Sequence, residues 1–508
     1  MKKVIRFFAS TKFILILSLL INIAMFVLIS LFLDSFFYGI FSAVVLIACF
    51  ISLWRSRIQP IYKMMWALLI YILPIFGCVL YARATHSYGS IKKRKAWQNI
   101  TFLSSNYLPS NTESYASLNK TDPVAFKQCM YVSNSINMPV YENTTTKYLA
   151  DGTAYFQEMF DLIKKAKRYI FLEYFIFKEG KIWDQLFQLL KEKAREGVEI
   201  KILYDDFGCM DRFTDRKTFK KLANYKIEAL PFNRVLSSFS GFINYRDHRK
   251  ILIVDGEYAL TGGINIGDEY ANLIDIHGTW KDNGISITGD AVWSMVVMFI
   301  NSWHFSSNER LEYEKYKSTN TVKNKSKEYV QPYGTSPLTH EPVARNIYLN
   351  LINSAQKSIY VTSPYMILDE EMITALKLAA KSGVLVSIIF PAIPDKKTAF
   401  YLARSRFTEL IKAGIKIHEF SGGFIHAKNL VIDGKIASIG TVNMDFRSLY
   451  LHFENGTLLY NSPTVTDIHK DFEKTLTLSK QITLKDMKKR KFVEKFCGFF
   501  LKILSPFF

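Results

Sequence analysis

The sequence contains HRKILIVDGEYALTGGIN at residues 248–265 and a matching stretch, HAKNLVIDGKIASIGTVN, at residues 426–443. Each stretch begins with His-x-Lys, continues as an apolar run and reaches an Asp-Gly pair. Residues i and i+2 of a strand point to the same side, so His248 and Lys250 project together. A lone His-x-Lys is usually a solvated strand face, but the whole series occurs twice in the same order. The repetition therefore indicates two equivalent functional hairpins.

Each Asp-Gly pair lies between apolar runs, which predicts a hairpin with a two-residue turn. Such a turn fixes which residues of the outgoing and returning strands face each other. The predicted opposite pairs are Thr261 with Lys250, Gly263 with His248, Ile439 with Lys428, and Thr441 with His426.

The returning strands bring small and amide-bearing residues beside each His-Lys face. Gly263 and Thr441 leave room for a phosphate, and Asn265 and Asn443 offer amide donors. We predict that these four residues bind the substrate. Lysine neutralises phosphate oxygens, one imidazole can attack phosphorus, and the other can serve as general acid and base.

The two series predict one catalytic set from both halves. Its members are His248, Lys250, Asp255, His426, Lys428 and Asp433. Both aspartates lie in the predicted turns, so a structural role in the hairpin is favoured over proton transfer, although both belong to the repeated motif. No spacing is typical of a metal site, and we expect no metal and no cofactor. The five cysteines are scattered and indicate no disulfide framework.

Apolar strands alternate with amphipathic helical patterns from about residue 131 to residue 479, which predicts an α/β fold. We expect two similar halves related by a pseudo-twofold axis, each a mixed sheet flanked by helices, after N-terminal transmembrane helices. The predicted divisions are a membrane anchor at 1–96, a linker at 97–130, a first half at 131–310, a linker at 311–330, a second half at 331–480, and an amphipathic membrane-associated tail at 481–508.

Three apolar runs lie near the N-terminus, at residues 13–33, 35–54 and 64–82. A helix needs about 20 such residues to cross a bilayer, so two or three transmembrane helices are predicted. A cleaved signal peptide is the alternative for the first run. Three spans would place the catalytic region outside the cell and two would place it inside. The formal net charge of +20 fits a polyanionic partner, either a membrane surface or nucleic acid.

The repeated motifs resemble the paired HxKxxxxD motifs of the phospholipase D superfamily, and in particular its bacterial cardiolipin synthases. Further similar segments are Gly262–Tyr270, Asn443–Ser448 and the C-terminal Leu501–Phe508. The resemblance implies a multi-pass protein of the bacterial cell membrane that converts two phosphatidylglycerols into cardiolipin and glycerol. It implies phosphatidylglycerol and other anionic phospholipids as partners, without nucleic acid, and leaves the oligomeric state open.

The resemblance also assigns roles. It implies that His248 is the nucleophile and His426 the general acid and base. A carboxylate beyond each motif often orients its histidine in this superfamily, and Asp282 and Glu454 are the candidates. Four residues depart from the family pattern: Asp247 and His452 replace Asn, and Asn283-Gly284 replaces Thr-His.

Three other functions use the same residues. A phospholipase D would pass the phosphatidyl group to water and release phosphatidic acid. A related nuclease would cleave nucleic acid, although the apolar runs and the absence of a basic stacking stripe argue against it. A membrane scaffold with inert pockets would not need two complete motifs.

Overall fold

The computed structural model describes residues 17–24, 35–56, 60–86, 88–210, 217–234, 244–320, 328–339 and 341–503. The chain divides into two compact units. The first comprises residues 1–96 and 234–245, and the second comprises residues 97–233 and 246–508. Both His-x-Lys motifs lie in the second unit, which therefore contains the candidate site.

The first unit is helical in its described residues. Residues 17–24 form a helical segment. The helices that follow are α1 (Ser35–Arg55), α2 (Pro60–Ile72) and α3 (Pro74–His86). Leu53, Ile70 and Tyr81, one from each of these helices, form a small buried apolar cluster.

Among the described residues, no helix is both long enough and apolar enough to cross a membrane. The prediction of N-terminal transmembrane helices is therefore wrong, and the multi-pass topology is not confirmed. The run at 64–82 is divided at Pro74, because proline lacks the N–H that would continue α2. α2 and α3 have 13 residues each, and helices of that length reach about 20 Å, short of a hydrocarbon core of about 30 Å. Most of the run at 13–33 lies outside the described residues.

The first half of the second unit is built on a seven-stranded mixed sheet. The strands of this half are β1 (Thr144–Leu149), β2 (Tyr169–Tyr174), β3 (Glu199–Asp205), β4 (Ile227–Phe232), β5 (Lys250–Val254), β6 (Tyr258–Gly262), β7 (Thr279–Lys281) and β8 (Gly284–Gly289). The sheet order is β1-β8-β6-β5-β2-β3-β4. β2, β3 and β4 run parallel, and the other neighbours pair antiparallel.

The second half repeats this arrangement. Its strands are β9 (Tyr329–Thr335), β10 (Ser358–Thr362), β11 (Leu385–Pro391), β12 (Lys416–Phe420), β13 (Gly423–Ile425), β14 (Asn429–Ile432), β15 (Ile436–Gly440), β16 (Glu454–Tyr460) and β17 (Ser479–Gln481). The order β17-β12-β11-β10-β14-β15-β16-β9 matches the first sheet, with β17 added at one edge. β13 pairs with β7 and so links the halves. The predicted pair of similar halves with mixed sheets flanked by helices fits this structure.

Helices cover the sheets, and one helix lies between them. The helices after α3 are α4 (Tyr88–Ser104), α5 (Thr112–Thr121), α6 (Pro123–Ile136), α7 (Gly152–Lys165), α8 (Lys181–Arg195), α9 (Lys217–Leu222), α10 (Val292–Ser306), α11 (Val343–Ser354), α12 (Glu370–Lys381), α13 (Lys397–Lys412), α14 (Pro463–Thr477), α15 (Leu484–Lys488) and α16 (Phe492–Ile503). α10 is buried on all sides from Val292 to His304 and contacts both β5 and β9. Phe299 of α10 stacks on Phe171 of β2 with ring centroids 4.2 Å apart.

The predicted linker at 97–130 is largely helical, since it contains the end of α4, all of α5 and the start of α6. Asp122 caps α6 by accepting hydrogen bonds from two backbone N–H groups, and Pro123 occupies the first turn. Leu118 and Cys129 of these helices are fully buried. The division of the chain into the predicted segments otherwise stays a prediction.

The hairpin register differs from the prediction by one residue. Ile251 rather than Lys250 pairs with Thr261, and Asn429 rather than Lys428 pairs with Ile439. Each loop therefore has three residues. A one-residue shift changes the face on which a side chain lies, so none of the four predicted opposite pairs forms.

Candidate active site

Both motif histidines are held by a backbone hydrogen bond from the opposite half. His248, just before β5, donates its backbone N–H to Phe453 O at 2.9 Å. His426, before β14, donates its backbone N–H to Lys281 O at 2.7 Å. Phe453 and Lys281 each precede a buried carboxylate residue. Such a reciprocal exchange is the pattern of two halves related by a pseudo-twofold axis.

The two carboxylates pair with the histidines crosswise. His248 Nδ1 lies 2.9 Å from Glu454 Oε2, and His426 Nδ1 lies 2.7 Å from Asp282 Oδ2. Both carboxylate residues have no exposed surface. The structure thus brings together the candidates named from the family resemblance, but each carboxylate contacts the histidine of the other half.

Burial sets the protonation of these pairs. It lowers the pKa of His248 to about 3 and that of His426 to about 4, so both imidazoles are neutral near pH 7. Burial alone would raise the pKa of Glu454 and of Asp282, but the facing histidines lower it below its ordinary value. A neutral ring whose Nδ1 faces a carboxylate carries its proton there, which leaves the Nε2 lone pair free.

The motif lysines are buried beside the histidines. Lys250 Nζ donates to His248 O at 2.7 Å. Lys428 Nζ donates to His426 O and lies 3.0 Å from His426 Nδ1. Burial lowers the pKa of Lys250 to about 7 and that of Lys428 to about 8. An anion bound near them would favour their charged forms.

The charges of the two halves act on each other. Burial lowers the pKa of Lys250, the Glu454 carboxylate partly raises it, and the nearby charge of Lys428 lowers it further. The charge of Lys250 also contributes to the lowered pKa of His426. Asn455 adds a direct link, because its Nδ2 donates to Thr261 Oγ1 at 2.8 Å and its Oδ1 accepts from the backbone N–H of Lys250. The two motifs therefore share one electrostatic environment.

The predicted substrate-binding residues of the first half contact protein groups. A Cβ at Gly263 would lie 2.2 Å from Asp282 Oδ1, so glycine allows the close approach of that carboxylate. Asn265 accepts a hydrogen bond from the backbone N–H of Ile176 and donates to Tyr270 OH at 2.7 Å. Both residues shape the walls of the site, and their contact with substrate stays a prediction.

The corresponding residues of the second half, Thr441 and Asn443, make different contacts. Thr441 Oγ1 donates to Glu454 Oε2, the oxygen that also faces His248. Asn443 is buried, and its Oδ1 has no hydrogen-bond partner among the described residues. Thr441 therefore orients a carboxylate, whereas contact of the Asn443 amide N–H with substrate stays a prediction.

The motif aspartates lie at the turns, far from the histidines. Asp255 accepts hydrogen bonds from the backbone N–H groups of residues 167–169 at 2.7–2.8 Å. Asp433 does the same for residues 356–358 at 2.7–2.9 Å. A strand rises about 3.3 Å per residue, so each turn lies roughly 17 Å along the hairpin from its lysine. These contacts favour the structural role; a catalytic role for either aspartate stays a prediction.

Three neighbours of the histidines were not identified as site residues from the sequence. Phe175 packs edge-on against His248 with ring centroids 5.0 Å apart, and Tyr270 packs against His426 at 5.7 Å. His452 lies 5.5 Å from His248 between ring centroids. The departure from the family's Asn at position 452 was a signal of that third imidazole.

Known proteins similar to this chain include named enzymes. A cardiolipin synthase of Geobacillus kaustophilus is 37% identical over 369 residues, which cover 72% of this chain and 73% of the relative. A cardiolipin synthase of Halalkalibacterium halodurans is 32% identical over 453 residues, covering 88% and 89%. The chain belongs to the cardiolipin synthase family of phospholipase D-like proteins. The suspected family and the predicted enzyme class, a phosphatidyl transferase, are thereby confirmed.

Two domain descriptions of this family match parts of the chain. The description "Cardiolipin synthase, PLD-like domain" matches residues 159–275 and 348–476, and "Phospholipase_D-nuclease N-terminal" matches residues 44–84. The crystal structure of phosphatidylserine synthase from Haemophilus influenzae has a TM-score of 0.58 at 16% identity. It covers 75% of this chain and 98% of that protein, which shows a shared fold.

Proposed function

We propose that this cardiolipin synthase family member transfers a phosphatidyl group from one phosphatidylglycerol to a second, giving cardiolipin and glycerol. The observation that carries the proposal is the crossed pairing of His248 with Glu454 and of His426 with Asp282. Each carboxylate holds the proton of its histidine on Nδ1. Both buried imidazoles therefore have a free Nε2 lone pair, and the two lie in one electrostatic environment. Double displacement at phosphorus needs one nucleophile and one proton carrier.

The first step forms a phosphohistidine. His248 Nε2 attacks the phosphorus of the donor lipid, and the bond from phosphorus to the oxygen of the headgroup glycerol breaks. A bound phosphodiester raises the pKa of His426, because its negative charge stabilises imidazolium. His426 takes up a proton at Nε2 from solvent when the donor lipid binds, donates it to the departing oxygen, and glycerol leaves.

The second step reverses these roles. His426, now neutral, removes the proton from a terminal hydroxyl of the second phosphatidylglycerol. The resulting oxygen attacks phosphorus, the bond from phosphorus to His248 breaks, and cardiolipin leaves. Lys250 and Lys428 stabilise the negative charge on the phosphate oxygens in both steps.

The C-terminal helix supports action at a lipid surface. One face of α16 packs on α13, where Glu494 forms an ion pair with Arg404 at 3.0 Å. The opposite face exposes a row of apolar side chains. They are Phe492, Val493, Phe496, Phe499 and Phe500. A helix with one such face and nearby lysines is typical of binding in the plane of an anionic bilayer surface.

The test uses purified protein in detergent with phosphatidylglycerol as the sole lipid. We expect cardiolipin and glycerol in equal amounts, and no product from His248→Ala or His426→Ala. Phosphatidic acid as the main product would identify a hydrolase, and cleavage of added plasmid DNA would identify a nuclease. Substantial turnover by either histidine variant would contradict the shared mechanism.

A further inference from the structure

His452 places a third imidazole next to the proposed nucleophile. One ligand atom from each of His248, His452 and Glu454 lies within 4.8 Å of the others. His452 Nδ1 lies 3.5 Å from Glu454 Oε1, an ion-pair distance that lacks hydrogen-bond geometry. The mechanism above uses His248 and Glu454 but gives no task to His452.

The polar atoms that face one another here are buried and unpartnered. His452 has 9% of its surface exposed, and Glu454 has none. Within the described part of the chain, neither ring nitrogen of His452 has a hydrogen-bond partner, and neither does Glu454 Oε1. Buried polar atoms are normally paired, so such a group of atoms is suited to an added ligand.

We propose that His248, His452 and Glu454 bind one divalent transition-metal ion, with Zn²⁺ the best match, and that this ion reversibly inhibits the enzyme. Two imidazoles and a carboxylate are a ligand set that holds Zn²⁺ with a fourth position open. Nitrogen donors favour Zn²⁺ over Mg²⁺ or Ca²⁺, which prefer oxygen ligands. The Glu454 carboxylate also offsets part of the charge of the ion.

Inhibition follows because the nucleophilic imidazole has only one lone pair to offer. A neutral imidazole has one ring-nitrogen lone pair, and its other nitrogen carries the proton. The metal ion and the phosphorus atom compete for the lone pair of His248. The inhibitory part of this inference rests on the proposed function, whereas metal binding does not.

The test for binding adds CoCl₂ to the purified full-length protein and follows the visible absorption of tetrahedral Co²⁺. We expect one Co²⁺ per chain, displaced by ZnCl₂. His452→Asn, which restores the family's residue, should weaken binding at least about tenfold. His469→Asn is the matched control, because His469 of α14 is a half-buried histidine that pairs with Glu473 at 3.7 Å and is not one of the three proposed ligands, so its loss should leave metal binding unchanged.

Inhibition is measured separately as cardiolipin formation during a ZnCl₂ titration. The wild type and His469→Asn should be inhibited in parallel with metal occupancy, and EDTA should restore activity. His452→Asn should need at least tenfold more Zn²⁺. Equal Co²⁺ affinity of wild type and His452→Asn, or no tetrahedral absorption, would overturn the site. Full occupancy without inhibition would overturn the proposed competition for His248. An inactive wild type that still binds Co²⁺ would contradict the proposed function and leave the metal site supported.

Discussion

His248 Nδ1 and Glu454 Oε2 lie 2.9 Å apart although 206 positions separate the two residues in the chain. His426 and Asp282 form the equivalent pair across 144 positions, in the opposite direction. Neither half can therefore orient its own histidine. The active site requires both halves to be folded and docked.

Glu454→Gln should lower kcat for cardiolipin formation by about 10²–10⁴-fold, because a neutral amide no longer fixes the tautomer of His248. KM should change little, since Glu454 is buried behind the imidazole. The measurement is steady-state turnover of phosphatidylglycerol in detergent.

Asp282→Asn is the matched variant of the other half and should also lower kcat. Because Asp282 contacts His426, Asp282→Asn weakens the proton carrier and leaves the nucleophile intact, so phosphohistidine trapped by acid quench should form more slowly than in the wild type but remain detectable. It should be nearly absent in Glu454→Gln. The reverse outcome would exchange the roles of His248 and His426.

Local features of the site could be predicted from the sequence, and long-range ones could not. The apolar hairpin strands that follow His248 and His426 could be predicted from two-residue periodicity, which depends only on neighbouring residues. The crossed contacts of Glu454 and Asp282 depend on how two distant halves pack, which no local pattern encodes.

Two predictions about local structure were wrong for physical reasons. The hairpin loops have three residues rather than two, and Asp255 adopts a left-handed conformation with φ of 55° while its carboxylate binds the amides at the start of β2. These hydrogen bonds come from a distant part of the chain, so the hairpin sequence alone does not predict them. The apolar run at 64–82 has the composition of a membrane span, but Pro74 divides it into two short helices.

The activity should fall at alkaline pH through loss of lysine charge. The pKa of Lys250 is about 7 and that of Lys428 about 8 because both are buried, so each amine is protonated below and neutral above that pH. We expect kcat/KM, which reports the free enzyme, to decrease as pH rises through this range. Lys250→Arg should extend activity to higher pH, since a guanidinium stays charged.

The control for this profile is Lys147→Arg, a surface lysine whose side chain is 66% exposed. It should leave the alkaline limb in place. An alkaline limb that does not move in Lys250→Arg, with the variant folded and active, would assign the titration to another group.

Asp255→Ala should affect stability far more than chemistry. Removing a carboxylate that accepts three backbone hydrogen bonds should lower the free energy of unfolding by about 2–4 kcal/mol. Asp433→Ala should behave alike, as its carboxylate has the same contacts. Urea unfolding gives the stability, and kcat per folded molecule should stay within about threefold of wild type, since the turn lies roughly 17 Å from the motif lysine. A complete loss of kcat in the folded variant would instead support catalysis by Asp255.

Phe499→Ser combined with Phe500→Ser should weaken binding to phosphatidylglycerol vesicles by at least about tenfold, because two exposed aromatic side chains no longer enter the bilayer surface. Co-sedimentation with vesicles measures the binding. Turnover of detergent-solubilised substrate should be unchanged, which separates membrane binding from chemistry. Leu478→Ser, which alters an apolar side chain that is also exposed, should not weaken binding.

Gly263→Ala should inactivate the enzyme through Asp282. The added Cβ would lie 2.2 Å from Asp282 Oδ1 and 3.1 Å from His426 O, so the carboxylate has to move away from His426. A displacement of about 1 Å of a group that orients a catalytic residue can lower kcat roughly 100-fold. Gly383→Ala is the control, because nothing lies within 4 Å of its Cβ. Its φ of +92° makes alanine costly for stability, yet kcat per folded molecule should be unchanged. If Gly263→Ala keeps full activity while folded, the contact between Asp282 and His426 is dispensable for proton transfer.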